Sequence, residues 1–129
     1  MSELTDRLTA SIKTAQSNIK ANITVSAIAG PYPPELWADL ERMARQVAKQ
    51  LGRRDWEASF DYMIDLVLTQ LDTLDIYGNP ASYLNGAARH HYSNIYRKEI
   101  VRERRMRDLV QHDPTIPKGV LKEILHGSG

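Results

Sequence analysis

Apolar positions recur at helical spacing along most of the chain, and the clearest run lies between residues 55 and 75. There Trp56, Phe60, Met63, Ile64, Val67, Leu71 and Leu74 share one face, while Glu57, Asp61, Asp65, Asp72 and Asp75 gather on another. Asp55 starts this predicted helix. Each large side chain fully buried on that stripe contributes about 1.5–3 kcal/mol, so this helix is the expected centre of the core. A second stripe, Leu36, Leu40, Met43, Val47 and Leu51, predicts a helix from Pro34 to about Leu51. Glu35 suits the positive end of its dipole, and Gly52 ends it.

The longest predicted helix runs from Asn79 to Val110. Asn79 can cap it through its side-chain oxygen, and Pro80 fits the first helical position, where a missing N–H costs nothing. Leu84, Ala87, Ala88, His91, Tyr92 and Ile95 form its buried stripe. Gly86 beside two alanines leaves two readings: close approach of another backbone, or simple tolerance of a residue that costs about 1 kcal/mol against Ala. The opposite side gathers Arg89, His90, Ser93, Tyr96 and Arg97 as a candidate working face. Past Tyr96, residues 97–107 carry six cations against two acids, and Arg102 falls where a core residue is due. This half of the helix is expected to project into solvent or to meet a polyanion.

At the N-terminus, Leu4, Leu8, Ile12, Ala15 and Ile19 recur among Ser, Thr, Asn and Lys, predicting a weakly amphipathic helix that needs a partner surface or serves as an interaction arm. The following β-branched stretch, residues 22–30, reads as a loop. Gly30-Pro31-Tyr32-Pro33-Pro34 fixes extended geometry and removes backbone donors, which is expected to separate arm from body. Asp113-Pro114 and Pro117 break the chain again before a short terminal helix holding Val120, Leu121, Ile124 and Leu125. The closing Gly127-Ser128-Gly129 reads as a flexible end or an added linker, and no function is expected of it. The expected architecture is all-α, a compact bundle of three main helices with an N-terminal helical arm and a short C-terminal helix. Its parts are residues 1–30, 31–112 and 113–129.

Composition sharpens this picture at three points. A chain of 129 residues with 42% hydrophobic content can bury one modest core. The net charge of only +1 conceals segregation: residues 55–75 hold six acids and no Lys or Arg, while residues 89–107 hold seven Lys or Arg and two acids. The absence of cysteine removes disulfides, thiolate metal sites and thiol catalysis. No apolar run reaches membrane-span length and no signal-peptide layout is present, so a cytoplasmic protein without a membrane partner is expected. Asn22-Ile23-Thr24 matches a glycosylation sequon by chance.

Candidate chemistry is sparse. Adjacent His90 and His91 point about 100° apart on a helix and cannot chelate one ion as an i, i+4 pair can, so no metal is expected. His91 suits a hydrogen-bonded core position and His90 an exposed one. The acids of the third predicted helix lie on an open face without a partner base or a glycine-rich phosphate loop, and no hydrolase, Walker or dinucleotide motif occurs. Neither an enzyme nor a cofactor is expected. Nucleic-acid binding rests on Arg89, His90, Tyr96, Arg97, Lys98, Arg102, Arg104, Arg105 and Arg107. Their cations can release counterions from phosphates, and the outward Tyr96 ring can stack on a base, whereas Tyr92 suits the core.

Three stretches in this order, residues 40–60, 61–71 and 79–99, resemble the second conserved domain of bacterial sigma factors, especially the small extracytoplasmic-function group. In that family they correspond to the helix before the acidic segment, the helix that grips the clamp coiled coil of RNA polymerase, and the helix that helps melt promoter DNA. The family's melting helix reads roughly W-L-x-x-I-A-R-N-x-x-x-D-x-x-R. Here Tyr83-Leu84 match W-L, Ala88-Arg89 match A-R and Arg97 matches the last Arg, while His90 replaces Asn and Asn94 replaces Asp. Asp61 and Asp65 match acidic clamp-binding positions, and Ile64 stands where Gln is usual. The residues after Val110 are too few for the family's helix-turn-helix domain.

The resemblance implies a stand-alone, sigma-like regulator, as from a phage or other mobile element, with Asp61, Asp65 and Asp72 toward the polymerase core and the basic helix toward DNA. Two other readings remain open: a protein-interaction module whose acidic and basic helices pair between subunits, or an accessory nucleic-acid-binding protein for replication or plasmid transfer. Oligomeric state is not legible in the sequence.

Overall fold

In the computed structural model, residues 2–76 and 78–112 are described, with side chains through Val110. They form four α-helices and a 3-10 turn in the order α1 (Glu3–Lys20), α2 (Pro34–Gln50), α3 (Trp56–Gln70), the turn Leu71–Thr73 and α4 (Pro80–His112). No strand occurs among the described residues, and the fold is all-α. The chain divides into two compact units, Met1–His91 and Tyr92–Gly129, with the boundary inside α4. The predicted C-terminal helix and tail lie outside the described residues.

Start and stop signals act as their chemistry requires. Ser2 caps α1 by accepting the Thr5 N–H at 3.2 Å, and Asn79 accepts those of Ala81 and Ser82 at 2.9 and 3.1 Å. After α2, Gly52 adopts φ +68°. Its N–H reaches the Lys49 carbonyl at 3.1 Å and the Arg53 N–H the Ala48 carbonyl at 2.8 Å, so paired reverse bonds close the helix around the left-handed glycine. Residues 22–30 form the expected loop, tightened by Val25 N–H to the Gly30 carbonyl at 2.7 Å and Gly30 N–H to the Ser26 carbonyl at 3.0 Å.

The core of the first unit is drawn from every helix. Leu8 and Ile12 of α1, Leu36, Leu40 and Val47 of α2, Met63 and Val67 of α3, and Leu74 and Leu84 are all fully buried or nearly so. Of the two expectations for the N-terminal helix, a partner surface is the one observed: α1 packs against α2 and the 3-10 turn. Its polar residues, which give the sequence a solvent-like look, hold other segments. Arg7 pairs at 3.2 Å with the buried Asp39 carboxylate, Thr9 donates to the Asn79 side-chain oxygen at 2.8 Å, Gln16 to the Leu71 carbonyl at 2.8 Å and Asn18 to the Pro31 carbonyl at 3.0 Å.

Further corrections concern individual faces. Leu51, expected on the α2 stripe, caps the helix and is exposed, while Ala44 and Ala48 are buried in its place. On α3, Trp56, Phe60 and Ile64 are half-buried, and the unpredicted Leu66 and Ser59 are buried. Asp72 follows the end of α3 in the 3-10 turn and is not on its acidic row.

On α4 the predicted stripe holds at Leu84, Ala88 and Tyr92, which are buried, with Ala87, His91 and Ile95 half-buried. Gly86 is exposed, and a Cβ built on it meets nothing within 4 Å, so close backbone approach is excluded. Gly86→Ala is accordingly expected to stabilise the fold by about 1 kcal/mol by limiting the unfolded chain and improving helix propensity. Urea unfolding checks this, and a lowered midpoint would contradict it.

Candidate functional site

The acidic candidates belong to the first unit. Glu57, Asp61 and Asp65 follow one another at intervals of four on α3, and all three are exposed. Glu41, Trp56, Glu57, Phe60 and Asp61 line a hollow of about 230 Å³. Trp56 and Phe60 meet edge to face with ring centroids 5.8 Å apart. The Arg45 guanidinium lies 3.9 Å above the Trp56 ring and 3.8 Å from Glu41, so the chain's own cation already engages that part of the rim, while Glu57 and Asp61 are exposed. The exposed Asp72 belongs elsewhere: it lines a hollow of about 360 Å³ with Ile19, Tyr32 and Leu68 among others. Burial and, after it, the Asp72 charge raise the Tyr32 phenol above its ordinary pKa.

Arg89 and His90 also belong to the first unit. Arg89 is half-buried: its Nε donates to Asn85 Oδ1 at 3.0 Å and its Nη2 donates to Gln50 Oε1 at the end of α2. Both acceptors are neutral, so they orient the guanidinium without cancelling its charge. His90 is exposed. His91 is half-buried, with its ring stacked on Tyr62, centroids 4.5 Å apart and planes 5° from parallel.

Asp55 joins this neighbourhood. Arg53 grips its two carboxylate oxygens at 2.9 and 3.0 Å. That hydrogen bonding lowers its pKa below the ordinary 3.8 against the opposing effect of burial, helped by its own backbone N–H and by the charges of Arg53 and His91. A depressed carboxyl stabilises the fold above its unfolded pKa and loses that contribution as pH falls through the folded value. Stability of the native chain is therefore expected to decline below about pH 4, and Asp55→Asn to be less stable at neutral pH with a shallower decline. Urea midpoints measured from neutral pH downward check this, and equal slopes would reject it.

Tyr96, Arg97, Lys98, Arg102, Arg104, Arg105 and Arg107 belong to the second unit, and all seven are exposed. Arg97, Lys98, Arg102 and Arg105 come together with Val101 and Met106 around a hollow of about 560 Å³. Arg104 and Arg107 stand outside it. By helical spacing Glu99 and Glu103 share one side of the helix, which leaves the remaining circumference to the cations. Tyr96 is 58% exposed and Tyr92 only 3%, so Tyr96 alone of the pair presents a ring for stacking.

Sequence reasoning passed over Lys49 and Arg54, both exposed at the α2–α3 turn. The signal was available in the Arg53-Arg54 pair after Gly52. Among the described residues no group of three or more His, Asp or Glu is placed to hold a metal ion, and no helix is long and apolar enough to cross a membrane. Comparison with protein-family models, with curated proteins and with solved structures finds no match.

Proposed function

We propose that the chain is a small helical transcription regulator that places the acidic row of α3 on RNA polymerase and presents Arg89, His90, Tyr96, Arg97 and the following basic run to DNA. It would act by recruiting or redirecting polymerase and not by bond chemistry. One observation carries this reading. Glu57, Asp61 and Asp65 on one helix and six cations between residues 97 and 107 on another all keep their charges exposed. Exposed charge of one sign attracts a partner of the other from a distance and speeds encounter. The exposed carboxylates of Glu57, Asp61 and Asp65 support a protein partner bearing cations on that side, and the resemblance to sigma domain two supplies polymerase as its identity.

Capture from a nuclease-treated bacterial lysate tests the reading. The native chain is expected to retain polymerase core subunits, and a variant with Asp61→Lys and Asp65→Lys to lose most of them. Equal retention by both would reject the α3 contact. Salt-sensitive self-association without polymerase or DNA would instead identify a module assembling with its own copies.

A further inference from the structure

The α2–α3 turn is bonded at one end to α4 and lies near the same helical turn at the other. On the entering side Gln50 accepts the Arg89 guanidinium. On the leaving side Asp55 lies within electrostatic reach of His91, whose ring is stacked on Tyr62 of α3. Between them the left-handed Gly52 reverses the chain within a few residues. Lys49 and Arg54 are chain neighbours of Gln50 and Asp55, so the turn brings two cations distant in sequence into the neighbourhood of Arg89. Lys49, Arg54 and His90 are exposed. Arg53 does not count toward this surface, because Asp55 already takes its guanidinium through two bonds.

We infer that this surface is a second phosphate-backbone contact for nucleic acid, built by the α2–α3 turn with Arg89 from residues outside the basic run 97–107. The inference rests on the DNA-binding reading above and extends it to residues outside the basic helix. Its chemistry matches a sugar-phosphate chain: fixed cations accompanied by the neutral amides Gln50 and Asn85, the kinds of group that position a protein on a duplex without reading sequence. Arg89 uses Nε and one Nη2 donor on those amides, so its five-donor fork keeps N–H groups for an incoming oxygen.

The test measures binding of the full chain to a labelled mixed-sequence duplex over a range of salt. Lys49→Ala with Arg54→Ala is expected to reduce the log–log salt slope by roughly 1.8, two contacts at about 0.9 each, with an unchanged circular dichroism spectrum. The Lys49→Gln, Arg54→Gln pair, which keeps side-chain length, is expected to give the same loss. An unaltered slope in both pairs, while the triple alanine variant at Arg97, Lys98 and Arg102 loses its share, would overturn this contact and leave the basic helix as the DNA surface. The opposite pattern would support the turn and reject the basic run. A native chain that fails to bind the duplex would overturn both together.

Discussion

Replacing Ile12 or Leu8 by Ala is expected to cost about 2–5 kcal/mol each, a large share of the 5–15 kcal/mol that typically holds a domain together. Both side chains have no exposed surface, so truncation leaves a cavity as well as losing transfer free energy. Beginning the chain at residue 22 should abolish cooperative unfolding of the first unit. That deletion removes Leu4, Leu8, Ile12 and Ala15 from the core and strips Asp39 of its Arg7 partner. A carboxylate buried to that degree is costly once a partner is gone, though Arg42 remains 3.7 Å away. Thermal melts followed by circular dichroism decide the matter, since each kcal/mol lost should lower Tm by about 4–8 °C in a domain of this size. A dispensable arm would leave Tm unchanged.

The second large effect concerns the basic run. Alanine at Arg97, Lys98 and Arg102 together should lower the log–log salt slope of duplex binding by roughly 2.7 if each cation neutralises one phosphate. The same counterion-release relation implies a loss of affinity on the order of several hundred-fold at 0.1 M salt. All three side chains are exposed, so helix content should be retained and the loss assignable to charge. Fluorescence anisotropy across a salt series reads both quantities. A slope equal to that of the native chain would remove these residues from any DNA contact.

The sequence carried some elements more plainly than others, for physical reasons. α2, α3 and α4 were legible because their apolar stripes and terminal signals, Pro34, Gly52, Asn79 and Pro80, act locally and need no knowledge of the rest of the chain. The apolar stripe of α1 was legible at Leu4, Leu8, Ile12 and Ala15, but the surface it packs on was not, because its polar side chains find partners distant in sequence, which periodicity does not reveal. The Gly86 ambiguity was settled only in three dimensions, since a missing side chain means close approach or open space with equal ease. For the candidate interfaces, exposure of the basic run was foreshadowed by Arg102 interrupting the stripe. The bond of Gln50 to Arg89 was not, because it depends on a turn folding back onto a helix that begins only at Pro80.

The Asn79 side-chain oxygen serves three donors, the N–H groups of Ala81 and Ser82 and the hydroxyl of Thr9. One atom thereby ties the first turn of the longest helix to a residue near the chain's beginning. Fraying at either place forfeits a bond at the other, so the two should open as one cooperative unit and share a single local free energy. The long helix is thus anchored at its origin by a segment 70 positions earlier in the chain.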